Sequence, residues 1–324
     1  MNFCRKLVVT FISIYIWGCK QEVIIKDGKF TGINPVSHTD VIYKGKSDTV
    51  LVSTYDGKIY EVIKGKSSKK QLTAINDEIY AIAYNSDKDE IYAATLNSGI
   101  AVIDVYNGNI LKYLPLNDSW AKQLVFNSEN GILATYDYKG NHYLWRVNDG
   151  FKRIHTPIKL QELKPRHIHN NGDIYFEDKR GFIVWNYQTN FEEEKRTLKG
   201  GLADIDKNKD LLLINGKEFT LYRTTSDKIQ FTLQHPDWPI YVPERDTTID
   251  IPLSLEIVSG QLSEKYIFTC GLDKSIRKWD KQSGELVKTY GPLRNTPSGI
   301  AITEDEMQFV VTDLGGNILF RNID

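Results

Sequence analysis

Cysteine is scarce in this 324-residue chain, with three in all. Cys4 and Cys19 flank an N-terminal apolar run, and Cys270 lies alone in the strand-like stretch YIFTC. A disulfide framework is therefore excluded for the body of the chain, and Cys270 reads as an inert core residue. Charge of one sign is also lacking. Lysine and arginine total 41 against 42 acidic residues, for a net charge of −1, so there is no electrostatic footprint for nucleic acid. Gly-x-Ser-x-Gly, His-Glu-x-x-His, a phosphate-cradling glycine loop and Cys-x-x-Cys are all missing. No catalytic residue, metal ligand or cofactor is expected from the sequence. Proline numbers only 10, but four of them fall between residues 236 and 252.

The N-terminus opens MNFCRKLVVTFISIYIWGC. Arg5 and Lys6 precede a mostly apolar run of eleven residues, Leu7 to Trp17. As a helix that run rises only about 16 Å, too little to span a bilayer. A cleaved secretory signal over residues 1–18 is the expectation. Ile16-Trp17-Gly18-Cys19 resembles a bacterial lipobox, although Trp17 is bulkier than that pattern prefers. The resemblance implies a lipid on Cys19, a tether over 19–27, and a place in the cell envelope. That place would be the outer membrane or the periplasmic face of a membrane.

Residues 28–324 carry a repeat. A strand-like run recurs as TVLVST, EIYAAT, GILATY, DIYFED, DLLLIN, KYIFTC and QFVVTD. A tight turn follows, then a second run marked by Tyr60-Glu61, Ile103-Asp104, Trp145-Arg146, Trp185-Asn186, Tyr222-Arg223, Trp279-Asp280 and Phe320-Arg321. These pairs are spaced by 43, 42, 40, 37, 57 and 41 residues. A turn residue comes five positions after the first member of six of them: Gly65, Gly108, Gly150, Asn190, Asp227 and Gly284. Period-two alternation between tight turns marks each unit as an antiparallel meander, and a period near 40 marks a repeat architecture.

The pattern resembles the WD40 family of β-propellers over nearly the whole mature chain. The resemblance implies an all-β, seven-bladed propeller with four-stranded blades, monomeric as a ring. Phe320 lies close to the last residue, so the seventh unit lacks an outer strand. Residues 29–33 are expected to supply it, pairing with 317–323 and closing the ring. The family's structural hydrogen-bonded tetrad maps onto His235, Thr269, Asp273 and Trp279, and more weakly onto His38, Thr54, Asp56 and Tyr60.

Other candidates are weighed against plainer readings. Asp204 to Asp210 has the acid spacing of a calcium loop but lacks its glycine and closing glutamate, and reads as a solvated turn. His167 and His169 share a strand face but lack a third ligand nearby in sequence. Lys64, Lys66, Lys69 and Lys70 read as a solvated turn, or more sharply as a contact for anionic headgroups. The 57-residue step holds an insertion, HPDWPIYVPERDTTIDIP, whose prolines argue against regular strand pairing. Its Trp238, Tyr241 and Arg245, with Trp120 elsewhere, are the candidate partner-binding residues. The expected function is a non-catalytic protein-interaction scaffold, held to a membrane by its lipid and free of nucleic acid. The alternatives are a propeller-type lactonase or lyase, or a sugar or small-molecule binder using Trp120, Trp238 and Tyr241 to stack a ligand.

Overall fold

The computed structural model describes residues 36–45, 48–178, 181–196, 198–251, 253 and 255–323. The expected signal, the lipidation site Cys19, the tether and the closing strand at 29–33 all lie outside them. Among the described residues no helix is long and apolar enough to cross a membrane.

Among the described residues seven antiparallel blade sheets follow one another along the chain, with a separate two-stranded sheet between the fifth and sixth, and within each the strands neighbour in sequence order. Blade one, for example, runs His38–Tyr43, Thr49–Thr54, Lys58–Ile63 and Lys69–Ala74. The inner strands of the next six blades are Ile79–Asn85, Ala121–Asn127, Lys164–Ile168, Gly201–Ile205, Ile257–Leu262 and Pro297–Ile302. Each packs against the inner strands on either side, and His38–Tyr43 meets Pro297–Ile302, so the seven form a closed ring.

Burial explains the sequence pattern. Second strands such as TVLVST, EIYAAT and QFVVTD bury five of their six residues, because neighbouring blades cover both faces. A strand in that position reads as a continuous apolar run. Outer strands such as KKQLTA, ILKYL and LVKTY are largely exposed and carry lysines. The buried side chains divide into seven clusters, each spanning a seam between two adjacent blades. One joins Val41, Val50 and Val52 of blade one to Ala301 and Val310 of blade seven. Ring closure therefore has an apolar seam of its own.

The six turn residues at five-residue offset all adopt positive φ, from 53° at Asp227 to 78° at Gly65. Glycine is required most strictly at Gly108, where any Cβ would sit 1.9 Å from the Leu72 carbonyl oxygen of blade one.

Two elements differ from expectation. The insertion forms a regular hairpin, Trp238–Val242 paired with Thr247–Ile251 in register from Trp238↔Ile251 to Val242↔Thr247. The prolines do not prevent it. The ribbon has only two strands, so each has an edge that needs no ladder donor, and Pro243 instead opens the one-turn helix Pro243–Arg245 at the tip. In blade three the outer strand shrinks to Lys152–Arg153, and the chain then leaves the sheet.

Candidate interaction face

At one end of the ring lie the turns between second and third strands together with the loops that join blades. The first residue of that turn donates its backbone N–H to an inter-blade loop carbonyl in five blades. The bonds are Tyr55 to Ser37, Leu96 to Glu78, Tyr138 to Trp120, Leu272 to Glu256 and Leu314 to Thr296, all 2.9–3.0 Å. Five apolar side chains are thereby fixed at equivalent positions on one face. Tyr138 is 80% exposed, and Leu272 and Leu314 are exposed as well. On the opposite end, Tyr106 and Phe191 stand out singly in third-to-fourth-strand turns.

Trp120 sits in the middle of an aromatic row on this face. Its ring centroid is 4.7 Å from Tyr80 and 5.6 Å from Tyr138, stacked on the latter at 12°. Tyr55 meets Tyr80 edge-on at 6.1 Å. Rings at these separations attract beyond their burial. Tyr80 is placed by a β-bulge, since the register of its strand shifts between Ile79 and Ala81. Its hydroxyl donates to Glu78 Oε2 at 3.0 Å, and burial followed by that carboxylate holds its pKa far above the usual tyrosine range. The same bulge in blade four, between Pro165 and His167, frees Arg166. Arg166 donates to Gln123 Oε1 at 2.5 Å and to Tyr136 Oη at 3.1 Å, and pairs with Glu177. The sequence reading found Trp120 but missed Tyr55, Tyr80, Tyr138 and Arg166. Tyr55 and Tyr138 carry a signal in hindsight, each opening the turn after a second strand. The bulges leave no trace in a period-two pattern.

The tetrad in blade six assembles with an additional member. Trp279 Nε1 donates to Thr269 Oγ1 at 2.9 Å, and His235 Nε2 lies 2.7 Å from the same oxygen. Arg277 donates to His235 Nδ1 at 2.7 Å and pairs with Asp273, whose other oxygen accepts from Ser275 Oγ at 2.7 Å. Since Arg277 is only a donor, His235 is neutral and donates from Nε2. Burial first, then the Arg277 charge, pull its pKa down to about 3. The weaker set does not assemble in the same way. Thr54 donates to Asp56 at 2.6 Å, but His38 turns to the Asn317 carbonyl and Lys69 Nζ.

Trp238 and Arg245 belong to the insertion hairpin, Trp238 37% exposed and Arg245 exposed at the tip. Tyr241 lies on the same ribbon, paired with Thr248. The hairpin leaves the ring at the inter-blade end, the end that carries the aromatic row. Trp120 is in the loop between blades two and three, so the fold does not unite it with Trp238 and Tyr241 in one stack.

The acidic turn after blade five's inner strand is filled from within the chain. Lys281 Nζ lies 3.0 Å from Asp210 and bonds Asp206, and Arg223 pairs with Asp210 and donates to the Lys281 carbonyl at 3.0 Å. The ammonium stands where a cation would. Three of the four turn lysines of blade one are also engaged. Lys64 reaches Gln308 and Asn322, Lys69 reaches His38, and Lys70 pairs with Glu61. Of these contacts only the Lys70 one is to a carboxylate, and Lys66, Lys69 and Lys70 remain exposed. His167 and His169 rings lie 6.5 Å apart. Among the described residues no group of three or more His, Cys, Asp or Glu is placed to hold a metal. Cys270 is buried, its thiol pushed up to about 12 by desolvation.

These features define a seven-bladed β-propeller of the WD40-like kind. Solved structures agree on the fold. The WD40 β-propeller domain of Doa1 superimposes with a TM-score of 0.66 at 12% identity, covering 89% of this chain and 93% of that one. A chain of the mitotic checkpoint complex gives 0.69 at 12% identity, with 90% and 89% covered. No protein-family model matches the chain, and no curated protein sequence does.

Proposed function

We propose that this propeller is a non-catalytic protein-interaction scaffold. Its docking face is the end that carries the Tyr55, Tyr80, Trp120 and Tyr138 row and the insertion hairpin. The observation that carries this reading is the convergence of exposed apolar side chains on one face. Tyr138, Leu272 and Leu314 occupy equivalent turn positions in different blades. Tyr80, Trp120 and Tyr138 are also in ring contact there, and aromatic side chains dominate interface energetics. That one structural relative belongs to a multi-protein assembly, the mitotic checkpoint complex, is in keeping with a platform role. The lipobox-like N-terminus extends the proposal to a scaffold held by Cys19 at a membrane of the bacterial envelope. A photo-crosslinking amino acid at position 138, at 238 and, on the far face, at 106 tests the face. Crosslinks to a partner are expected from 138 and 238 and not from 106. Crosslinking from 106 alone would invert the assignment.

A further inference from the structure

Blade three is cut short at its outer edge. After Lys152–Arg153 the Ile154 N–H still donates to the Leu144 carbonyl at 2.9 Å, but the chain then turns inward. Leu160 and Leu163 enter the seam between blades three and four. The start of the third strand, at His142 and Tyr143, is left beside a cleft of about 300 Å³. Asn141, His142, Arg153, His155, Thr156 and Gln161 are among its lining residues, and none of the lining residues is acidic.

Arg153 lies over Tyr143 and Trp145, its guanidinium carbon 4.5 and 5.1 Å from their ring centroids. It donates to the His142 carbonyl over a long 3.4 Å, and no carboxylate pairs with it among the described residues. The nearby Asp137 carboxylate accepts instead from the Asn141 backbone, the Asn141 amide and the Tyr143 hydroxyl. His142 Nε2 is 2.8 Å from Thr156 Oγ1, and the Leu163 and Gln161 backbone carbonyls also lie against its ring. A planar guanidinium placed over two rings, with imidazole, hydroxyl and amide groups around it, is matched to an oxyanion. The volume is at the small end of ligand pockets.

We propose that this cleft binds a small molecule through an oxyanion, a carboxylate or phosphate group anchored by Arg153. The cleft opens at the same end of the ring as the docking face, since Asn141 shares a turn with Tyr138 and Asn117 a loop with Trp120, but its ligand is a small anion, and its failure would leave the docking reading intact. Inorganic phosphate and glutarate, titrated separately into the mature chain at ionic strength fixed with sodium chloride, are the probes. The readout is the imidazole resonances of His142 and His155 by NMR. At least one anion is expected to shift them saturably, and Arg153→Gln to weaken that binding at least tenfold. Preference for phosphate assigns a tetrahedral group and preference for glutarate a planar one. Should the glutamine variant fail to fold, Arg153→Lys keeps the charge, loses the fork, and is expected to bind at least threefold more weakly. Absence of saturation with both anions, equal shifts from chloride alone, or undiminished affinity in the variant that folds would each overturn the proposal.

Discussion

Thr269 is the residue on which the blade-six network turns. Its hydroxyl oxygen receives both the Trp279 and the His235 N–H at full burial. Thr269→Val keeps the shape and orphans two buried donors. Each such loss costs about 1–3 kcal/mol, so a destabilisation of roughly 2–6 kcal/mol is expected from the urea midpoint. His235 adds a pH dependence. Its pKa falls from 6.5 to about 3 on folding, so between those values the unfolded chain binds the extra proton. The stability that neutral His235 contributes is complete above pH 6.5 and is lost as the pH falls toward 3. His38 and His167, each lowered to about 4 by burial, act in the same direction. Asp40 and Asp204 act in the opposite one. Both are partly buried, each accepts backbone N–H bonds within its own strand and from the next blade, and desolvation still raises them to about 6 and about 7. Their contribution is complete below about pH 3.8 and is lost as the pH rises through those values. Since the terms oppose, the difference between variants is the clean measurement. His235→Gln should reduce the loss of unfolding free energy between pH 7 and pH 5 by about 2 kcal/mol; an identical pH slope would contradict the assignment.

At the scale of elements, a buried ionic bolt fastens blade five to blade six. Asp206 and Asp210 follow blade five's inner strand, and Lys281 follows blade six's third strand. Their side chains are 3–5% exposed. Removing one member of a buried pair leaves charge without compensation, which costs about 3–5 kcal/mol. Lys281→Met is expected to destabilise by about that much, read from chemical denaturation. The exposed Lys207–Glu264 pair spans the same seam. Exposed pairs contribute little, and Lys207→Gln should leave the midpoint unchanged. The turn elements were legible in advance. All six αL positions could be read from glycine, asparagine and aspartate, because only these residues enter that region at low cost. The hairpin was not legible. Proline density in HPDWPIYVPERD argued against pairing, and the argument fails because a two-stranded ribbon has no central strand.

For the whole molecule, the seven seam clusters carry the architecture. A single blade buries one side of a sheet poorly, and seven in a ring cover one another. The cluster joining blade seven to blade one involves only described residues, so the ring is held by apolar contact at that seam. The proposed membrane attachment rests on the N-terminal sequence, and Cys19→Ala tests it. The variant is expected to accumulate as unprocessed precursor or to leave the membrane fraction; unchanged processing and fractionation would refute the tether. The exposed row at Tyr138 should remain accessible to crosslinking in the released form, since it is built by blades one, two and three within the described ring.

The sequence by itself determined the repeat, the number of blades, and the second and third strands of each. Alternation, turn residues and spacing are local properties, and a blade is a local meander whose strands pair with their neighbours in the chain. It also picked out Trp120 and most of the blade-six network. Only the tertiary structure decided what crosses from one blade to the next. Arg277 entered between His235 and Asp273, Lys281 filled the acidic turn, and Tyr80 and Arg166 turned outward at bulges. In blade three, the departure of the chain after Arg153 opened a cleft. Each of these depends on groups 20 to 80 residues apart meeting at a seam, where burial sets which hydrogen bonds must be satisfied. Chain periodicity carries no record of that requirement.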